Sequence, residues 1–158
     1  MSGVNLSDRT PTDDVGHPNY SYSRTVQEPP VVRREDGPLF ALRPEAREVL
    51  EALRANGVLT GLVSYNHEGN VRRILEAFGV LDLFNYIVAE WHTGKDKMLG
   101  KMIEMARLDG YALEGRDLIL LDDDPWDIYR GQCLRIGVGF SGFGTDMHDL
   151  REVLELVK

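Results

Sequence analysis

Cysteine is almost absent from this sequence, since Cys133 is the only one among 158 residues. A single cysteine forms no internal disulfide, which is typical of proteins in a reducing compartment, and we expect a cytoplasmic location. The apolar residues near Cys133 favour a small core side chain over a nucleophile.

Long apolar runs and a targeting segment are also missing. No stretch is long enough to cross a bilayer, so we expect no membrane partner. The first residues, MSGVNLSDRTPTDD, have neither a basic flank nor an apolar block, and we therefore expect no secretory signal.

Positive charge is scarce: 18 Lys and Arg residues stand against 26 Asp and Glu residues, a formal net charge of -8. Nucleic acid is not expected as a partner, because phosphate backbones bind clustered positive charge. The four histidines have no metal-ligand spacing, which argues against a zinc site. They are His17, His67, His92 and His148.

What the sequence does contain, from residue 44 onward, is a regular alternation of helix and strand patterns. Strands are predicted at 58–64 and 86–89, up to Asp122, and at 134–138. Helices are predicted at 44–57, 68–78 and 96–108, from Pro125, and from about Asp146. This alternation predicts an α/β fold with a doubly wound parallel sheet in three layers. The length fits one domain, residues 1–158, and we expect a monomer.

The first 42 residues have a weaker pattern. Residues 3–8 predict a short strand with Val4 and Leu6 on one face. Residues 9–30 are rich in turn-forming residues and predict a long loop. Residues 31–42 predict a small hairpin around an Asp-Gly turn. We expect 9–42 to form a flap and hairpin over the sheet edge.

The most informative stretch runs from Asp117 to Asp127, where four apolar residues lead directly into Asp122, Asp123 and Asp124. A short apolar run that ends in turn residues is typical of a strand buried on both faces. Ligands bind at the carboxyl ends of such strands, and crowded carboxylates usually hold a cation. The alternative is an acidic loop that caps a helix and faces water.

Polar residues follow the other predicted strands in the same way. If all strands are parallel, these residues share one edge of the sheet, where a carboxylate, a hydroxyl, an ammonium and a cation site suit phosphoryl transfer. They are Asp8, Thr10 and Thr12; Ser64, Tyr65 and Asn66; Lys95 and Lys97; and Asp122 and Asp123.

These residues resemble the four motifs of the haloacid dehalogenase (HAD) superfamily, in the order Asp, Ser or Thr, Lys and Asp-Asp. The clearest matches are Gly-Leu-Val-Ser64-Tyr-Asn and Ile-Leu-Leu-Asp122-Asp123-Asp124. The Pro29-Pro30 segment and the hairpin after it resemble the magnesium-dependent phosphatase-1 branch. The interval from Ser64 to Lys97 is too short for a cap domain. The resemblance implies a capless, HAD-like Rossmannoid phosphatase that hydrolyses a phosphorylated small molecule or a phosphoprotein.

The resemblance also implies roles for single residues. Asp8 would be the nucleophile, and Mg²⁺ would be bound by Asp8, the main-chain carbonyl of Thr10, Asp122 and Asp123. Ser64 and Lys97 would hold the phosphoryl group, with Tyr65 and Asn66 beside it, and Asp127 would orient the metal-site loop. Lys95 is the rival of Lys97, which we prefer because Met98, Leu99 and Met102 follow it with inward helical phase.

The first motif departs from the phosphatase pattern. The family has a second aspartate, a general acid and base, two residues after the nucleophile, and here that position is Thr10. Its loss predicts slow hydrolysis, unless Asp13 or Asp14 substitutes. A second register makes Asp8 the general acid and puts Leu6 at the nucleophile position, which would abolish catalysis. A catalytically inactive relative that acts as a binding protein is therefore the main alternative. A receiver-type signalling domain and a metal-free dehalogenase fit less well.

Overall fold

The computed structural model describes residues 31–33, 39–91, 94–123 and 128–157. The strand predicted at 3–8, the loop at 9–30, the Asp-Gly turn, and Asp8, Thr10 and Asp127 lie outside the described residues. Within the described ranges, no helix is both long and apolar enough to cross a membrane.

The described chain alternates strands and helices along its length. The strands are β1 (Val31–Arg33), β2 (Leu39–Ala41), β3 (Gly61–Ser64), β4 (Tyr86–Ala89), β5 (Ile119–Asp122) and β6 (Gly139–Gly142). The helices are α1 (Ala46–Ala55), α2 (Glu68–Phe78), α3 (Lys95–Leu108), α4 (Ile128–Arg135) and α5 (Val153–Leu156). Short 3-10 turns lie at Leu81–Leu83, Gly115–Asp117 and Leu150–Glu152.

The strands after β2 pair in parallel, as the alternation predicts. β3 pairs with β4 from Gly61 opposite Tyr86 to Ser64 opposite Ala89. β5 pairs with β6, with Asp122 opposite Gly142 at their carboxyl ends. β1 and β2 pair antiparallel, which confirms the pairing expected of the small hairpin.

Alternate strand residues pack into two apolar clusters. Leu62 of β3 and Leu121 of β5 pack with residues of α1 and α2. Val63 and Leu120 point the other way and pack with residues of α3. Both faces of these strands are therefore buried, which explains why their sequences are continuous apolar runs and not an alternating pattern.

The helices form where the apolar spacing predicts them. In α2, Val71, Ile74, Leu75 and Phe78 are all completely buried. The helix ends at Gly79, whose φ of 73° lies in the left-handed region that favours glycine.

Two boundaries predicted near the C-terminus are wrong. Residues 134 and 135 belong to α4, and the strand lies further on, at β6, whose sequence Gly-Phe-Ser-Gly has almost no β-branched or apolar pattern. The last helix begins at Val153 and not near Asp146. Asp146 instead accepts a hydrogen bond from the Gly142 amide at 2.7 Å and closes the turn after β6.

Candidate functional site

A buried ion pair joins the carboxyl ends of β3 and β5. The Lys95 ammonium lies 3.3 Å from the Asp122 carboxylate, and it donates a hydrogen bond to the Val63 carbonyl at 3.2 Å. The two side chains are only 4% and 14% exposed. One ammonium therefore contacts the ends of both strands, at the edge where the sequence places the polar residues.

The charges in this pair depend on each other. Burial is the largest single effect and favours the neutral form of Asp122, but the adjacent Lys95 ammonium and the hydrogen bonds that Asp122 accepts together outweigh it and hold the pKa of this carboxyl below its usual value. The Asp123 amide also donates to Asp122 at 2.8 Å, which favours the ionised form. Asp122 is therefore a carboxylate at neutral pH, held in place on both of its oxygens.

Two tyrosine rings face the Lys95 ammonium. Its nitrogen lies 4.9 Å from the Tyr65 ring centroid and 5.0 Å from that of Tyr129. The two rings meet edge to face, with centroids 5.8 Å apart. Burial raises the pKa of the Tyr65 hydroxyl, so it stays protonated. The aromatic faces attract the cation and restrict where it can move.

The loop from β3 into α2 presents hydrogen-bond donors beside this ion pair. The buried Ser64 hydroxyl accepts a hydrogen bond from the backbone amide of Asn66 at 3.2 Å, so the hydroxyl proton remains available to donate. Asn66 is 3% exposed, and its side-chain amide nitrogen has no hydrogen-bond partner among the residues that the structure describes. Such a buried unpaired donor is costly and suits a site that receives an acceptor.

Lys97 does not lie where the sequence placed it. Its side chain is exposed, whereas Lys95 is buried with Met98, Leu99 and Met102. The prediction that Lys97 lies at the sheet edge is therefore wrong. The buried Met98, Leu99 and Met102 lie three, four and seven residues after Lys95, so Lys95 shares their face of the helix. This spacing is visible in the sequence and identifies Lys95.

The remaining predicted site residues divide into two groups. Asp122 and Tyr65 contact Lys95, Asn66 donates a hydrogen bond to the hydroxyl of Ser64, and the exposed Asp123 follows Asp122 directly. Asp8 and Thr10 lie outside the described residues. The sequence analysis does not predict two residues of α4 that contact Lys95. The ring of Tyr129 faces its ammonium, and the side chain of Gln132 accepts a hydrogen bond from its backbone amide at 2.7 Å.

The donor set suits a hard divalent cation. Asp122 and Asp123 offer carboxylate oxygens, and Mg²⁺ is commonly bound through one or two carboxylates with water and phosphate completing its shell. Among the described residues no group of three or more His, Cys, Asp or Glu side chains surrounds a metal-sized space. A cation here would therefore need further oxygens from water, from substrate or from the N-terminal segment.

A model of the haloacid dehalogenase-like hydrolase family matches residues 22–132, well over half of the sequence. The chain belongs to this family. The match includes Ser64, Lys95, Asp122 and Asp123, and it begins after Asp8 and Thr10. No curated protein matches the chain.

Solved structures support the same fold at low sequence identity. A predicted phosphoglycolate phosphatase from Haemophilus somnus matches with 20% identity and a TM-score of 0.63, over 75% of this chain and 58% of that one. A HAD-superfamily hydrolase from Ehrlichia chaffeensis matches with 16% identity and a TM-score of 0.63, over 78% and 60%. An L-2-haloacid dehalogenase matches with 15% identity and a TM-score of 0.58, over 73% and 56%. The chain thus covers less than two thirds of these relatives, and the likeness establishes the α/β HAD-like fold.

Proposed function

We propose that this HAD hydrolase is a Mg²⁺-dependent phosphatase that acts through an aspartyl-phosphate on Asp8. The observation that carries the proposal is the Lys95–Asp122 ion pair beside Ser64 at the carboxyl ends of parallel strands. The substrate class is a phosphomonoester on a small molecule or a phosphoprotein. Phosphatases and dehalogenases both occur among the similar structures, and the paired carboxylates favour the phosphatase, since a dehalogenase needs no cation.

The phosphoryl group would be held by donors on three segments. The Lys95 ammonium, the Ser64 hydroxyl and the side-chain amide of Asn66 would each stabilise negative charge on phosphoryl oxygens. We therefore assign to Lys95 the role first given to Lys97. Tyr65 contributes by restraining Lys95.

The reaction needs a nucleophile and a proton donor. A carboxylate oxygen of Asp8 would attack phosphorus while the bond to the leaving oxygen breaks, and water would then hydrolyse the acyl-phosphate to free phosphate. Thr10 is a poor acid and base, so the leaving group takes its proton from water or from Asp13 or Asp14. We expect turnover about 10²–10⁴-fold below that of a relative with an aspartate there.

A bound Mg²⁺ would neutralise charge on the phosphoryl oxygens and on the crowded carboxylates. Asp122 and Asp123 would hold it together with Asp8 and the main-chain carbonyl of Thr10. Because Lys95 already compensates Asp122, this carboxylate remains ionised and ready for a cation at neutral pH.

An open, capless site and the phosphatase-1 branch belong to the same proposal. The described residues between Ser64 and Lys95 form only α2, one 3-10 turn and β4, which supports a site without a cap domain in this interval. An open site would admit a phosphoprotein. We further propose a monomeric, cytoplasmic protein with helices on both faces of one sheet.

One observation favours a second candidate, an inactive relative that binds a partner. The family match begins at residue 22, so the first motif, with Thr10 and the two registers around Asp8, lies outside it. This reading predicts a folded protein with no turnover of any phosphate ester.

The two candidates are separated by phosphate release from an aryl phosphate ester with and without EDTA. The phosphatase hypothesis predicts release that EDTA abolishes and that Asp8→Asn lowers at least 10²-fold, whereas Asp82→Asn, the same change at an exposed aspartate, should leave release unchanged. Unchanged release by Asp8→Asn would exclude the proposed nucleophile. No release by the unmodified protein with Mg²⁺ would favour the binding protein.

A further inference from the structure

The side of α4 that packs on α3 presents three polar side chains at helical spacing. Tyr129, Gln132 and Arg135 lie three residues apart along α4, and residues three apart are neighbours on the surface of a helix. All three contact the first two residues of α3, Lys95 and Asp96. One side of α4 is therefore directed at the point where α3 begins.

Gln132 provides the cap that α3 lacks at its own start. The residue before α3 is Gly94, which has no side chain to accept a hydrogen bond from the first turn. The amide of Lys95 is one of the donors that a helix start leaves unpaired, and the side chain of Gln132 accepts it at 2.7 Å. This contact attaches the backbone of Lys95 to α4.

Tyr129 contacts the opposite end of the same lysine. Its ring centroid lies 5.0 Å from the ammonium nitrogen, and the lysine side chain is only 4% exposed. An aromatic face attracts an ammonium more strongly where water is excluded. The helix α4 therefore holds Lys95 both at its backbone and at its charge.

We propose that Tyr129 and Gln132 are positioning residues, which fix the direction in which the Lys95 ammonium meets a phosphoryl group. A lysine side chain is a flexible four-carbon stem, so contacts alone keep its ammonium in place. The Asp122 carboxylate and the Val63 carbonyl engage two of the three donors of this ammonium, which leaves one donor for a phosphoryl oxygen.

The effect on turnover rests on the proposed phosphatase function, whereas the contacts with α4 hold Lys95 whether or not the protein is a phosphatase. Two measurements on the full chain, one of turnover and one of lysine exposure, therefore separate the two proposals.

Each contact is removed by one variant and kept by a matched one. Gln132→Met removes the acceptor, whereas Gln132→Glu keeps an oxygen that accepts the same hydrogen bond. Tyr129→Leu removes the aromatic face, whereas Tyr129→Phe keeps the ring. Tyr111→Leu, at a tyrosine that is 45% exposed beyond the end of α3, is the control for the loss of a tyrosine elsewhere.

The first measurement is turnover of an aryl phosphate ester with Mg²⁺, well below the melting temperature of each variant. Because a misplacement of about 1 Å can cost about 10²-fold in rate, Gln132→Met and Tyr129→Leu should lower kcat roughly tenfold and leave KM within about threefold. The other three variants should keep kcat within about twofold. A purely structural role would lower the melting temperature and leave the kcat of the folded protein unchanged.

The second measurement needs no turnover. Acetic anhydride labels accessible lysines, and fragment masses distinguish Lys95 from the exposed Lys97. We expect Lys95 to react at least tenfold more slowly than Lys97 in the unmodified protein, because Lys95 is buried. Gln132→Met and Tyr129→Leu should speed its labelling at least threefold without changing that of Lys97. This result in a protein without turnover would refute the phosphatase alone.

Three results would contradict the roles of Tyr129 and Gln132. The first is labelling of Lys95 that stays as slow in Gln132→Met and Tyr129→Leu as in the unmodified protein. The second is an active protein in which these two variants keep the full kcat. The third is an equal loss of kcat in Gln132→Glu and Tyr129→Phe, where the contacts remain. If one residue's variants do not fold, the pair at the other residue decides the question.

Discussion

Lys95 is the residue on which the site depends most. Its ammonium contacts Asp122, the Val63 carbonyl and two tyrosine faces, so it links β5, β3 and α4. The pair is almost completely buried, and a buried charge that loses its partner is far more costly than a surface charge. Lys97, two residues further on, has the same side chain in an exposed position.

This difference gives a matched test of the lysine assignment. Lys95→Met leaves the Asp122 carboxylate buried and unpaired, which should lower the free energy of unfolding by about 3–5 kcal/mol and aryl phosphate turnover at least 10²-fold. Lys97→Met should change the free energy of unfolding by less than about 0.5 kcal/mol and leave turnover unchanged. Urea unfolding and phosphate release measure the two effects, and equal behaviour of the variants would refute the assignment.

The site residues differ in how far the sequence could identify them. Ser64 and Asp122 end apolar strands, and that signal is local and unambiguous. The choice between Lys95 and Lys97 depends on which face of α3 is buried, because two residues along a helix lie on opposite faces. Tyr129 and Gln132 reach Lys95 only through packing of α4 on α3, and no local pattern predicts such a contact.

Among the secondary-structure elements, the apolar pattern predicts the central strands and the long helices. It fails where contacts with distant segments, and not the local sequence, determine the structure. β6 consists of Gly-Phe-Ser-Gly and is a strand because it pairs with β5. The apolar residues just before it, Leu134, Ile136 and Val138, mimic a strand at the end of α4 and the following turn. Tertiary pairing thus overrides local propensity in this segment.

The 3-10 turn before β5 shows how closely backbone segments approach each other. A Cβ at Gly115 would lie 2.1 Å from the Ile136 carbonyl oxygen, whereas a Cβ at Gly131 of α4 meets nothing within 4 Å. Gly115→Ala forces two backbone segments apart and should cost about 1–3 kcal/mol of unfolding free energy. Gly131→Ala should instead add about 0.5–1 kcal/mol, because alanine favours the helix.

Chemical denaturation of the two glycine variants measures both values on the same scale. Because Gly115 precedes the strand that ends at Asp122, its substitution should also lower turnover, whereas Gly131→Ala should not. If Gly115→Ala left the free energy of unfolding unchanged, the turn would be able to move away from Ile136 without disturbing β5.

At the scale of the whole molecule, fold and family follow from the alternation of elements and from the motif order, and both are supported by the family match and the similar structures. The proposed nucleophile, Asp8, lies outside the described residues. The contacts around Lys95 support the proposed site, and the role of Asp8 is the proposal that the next experiment tests.

Trapping the covalent intermediate shows directly whether Asp8 is the nucleophile. The protein is mixed with an aryl phosphate and Mg²⁺, quenched in acid, reduced with borohydride and mapped by peptide mass spectrometry, because borohydride converts an acyl-phosphate into an alcohol. We expect Asp8 to be reduced when substrate is present and to remain unreduced when it is absent. Steady phosphate release with no reduction at Asp8, or with reduction at another carboxylate, would contradict it.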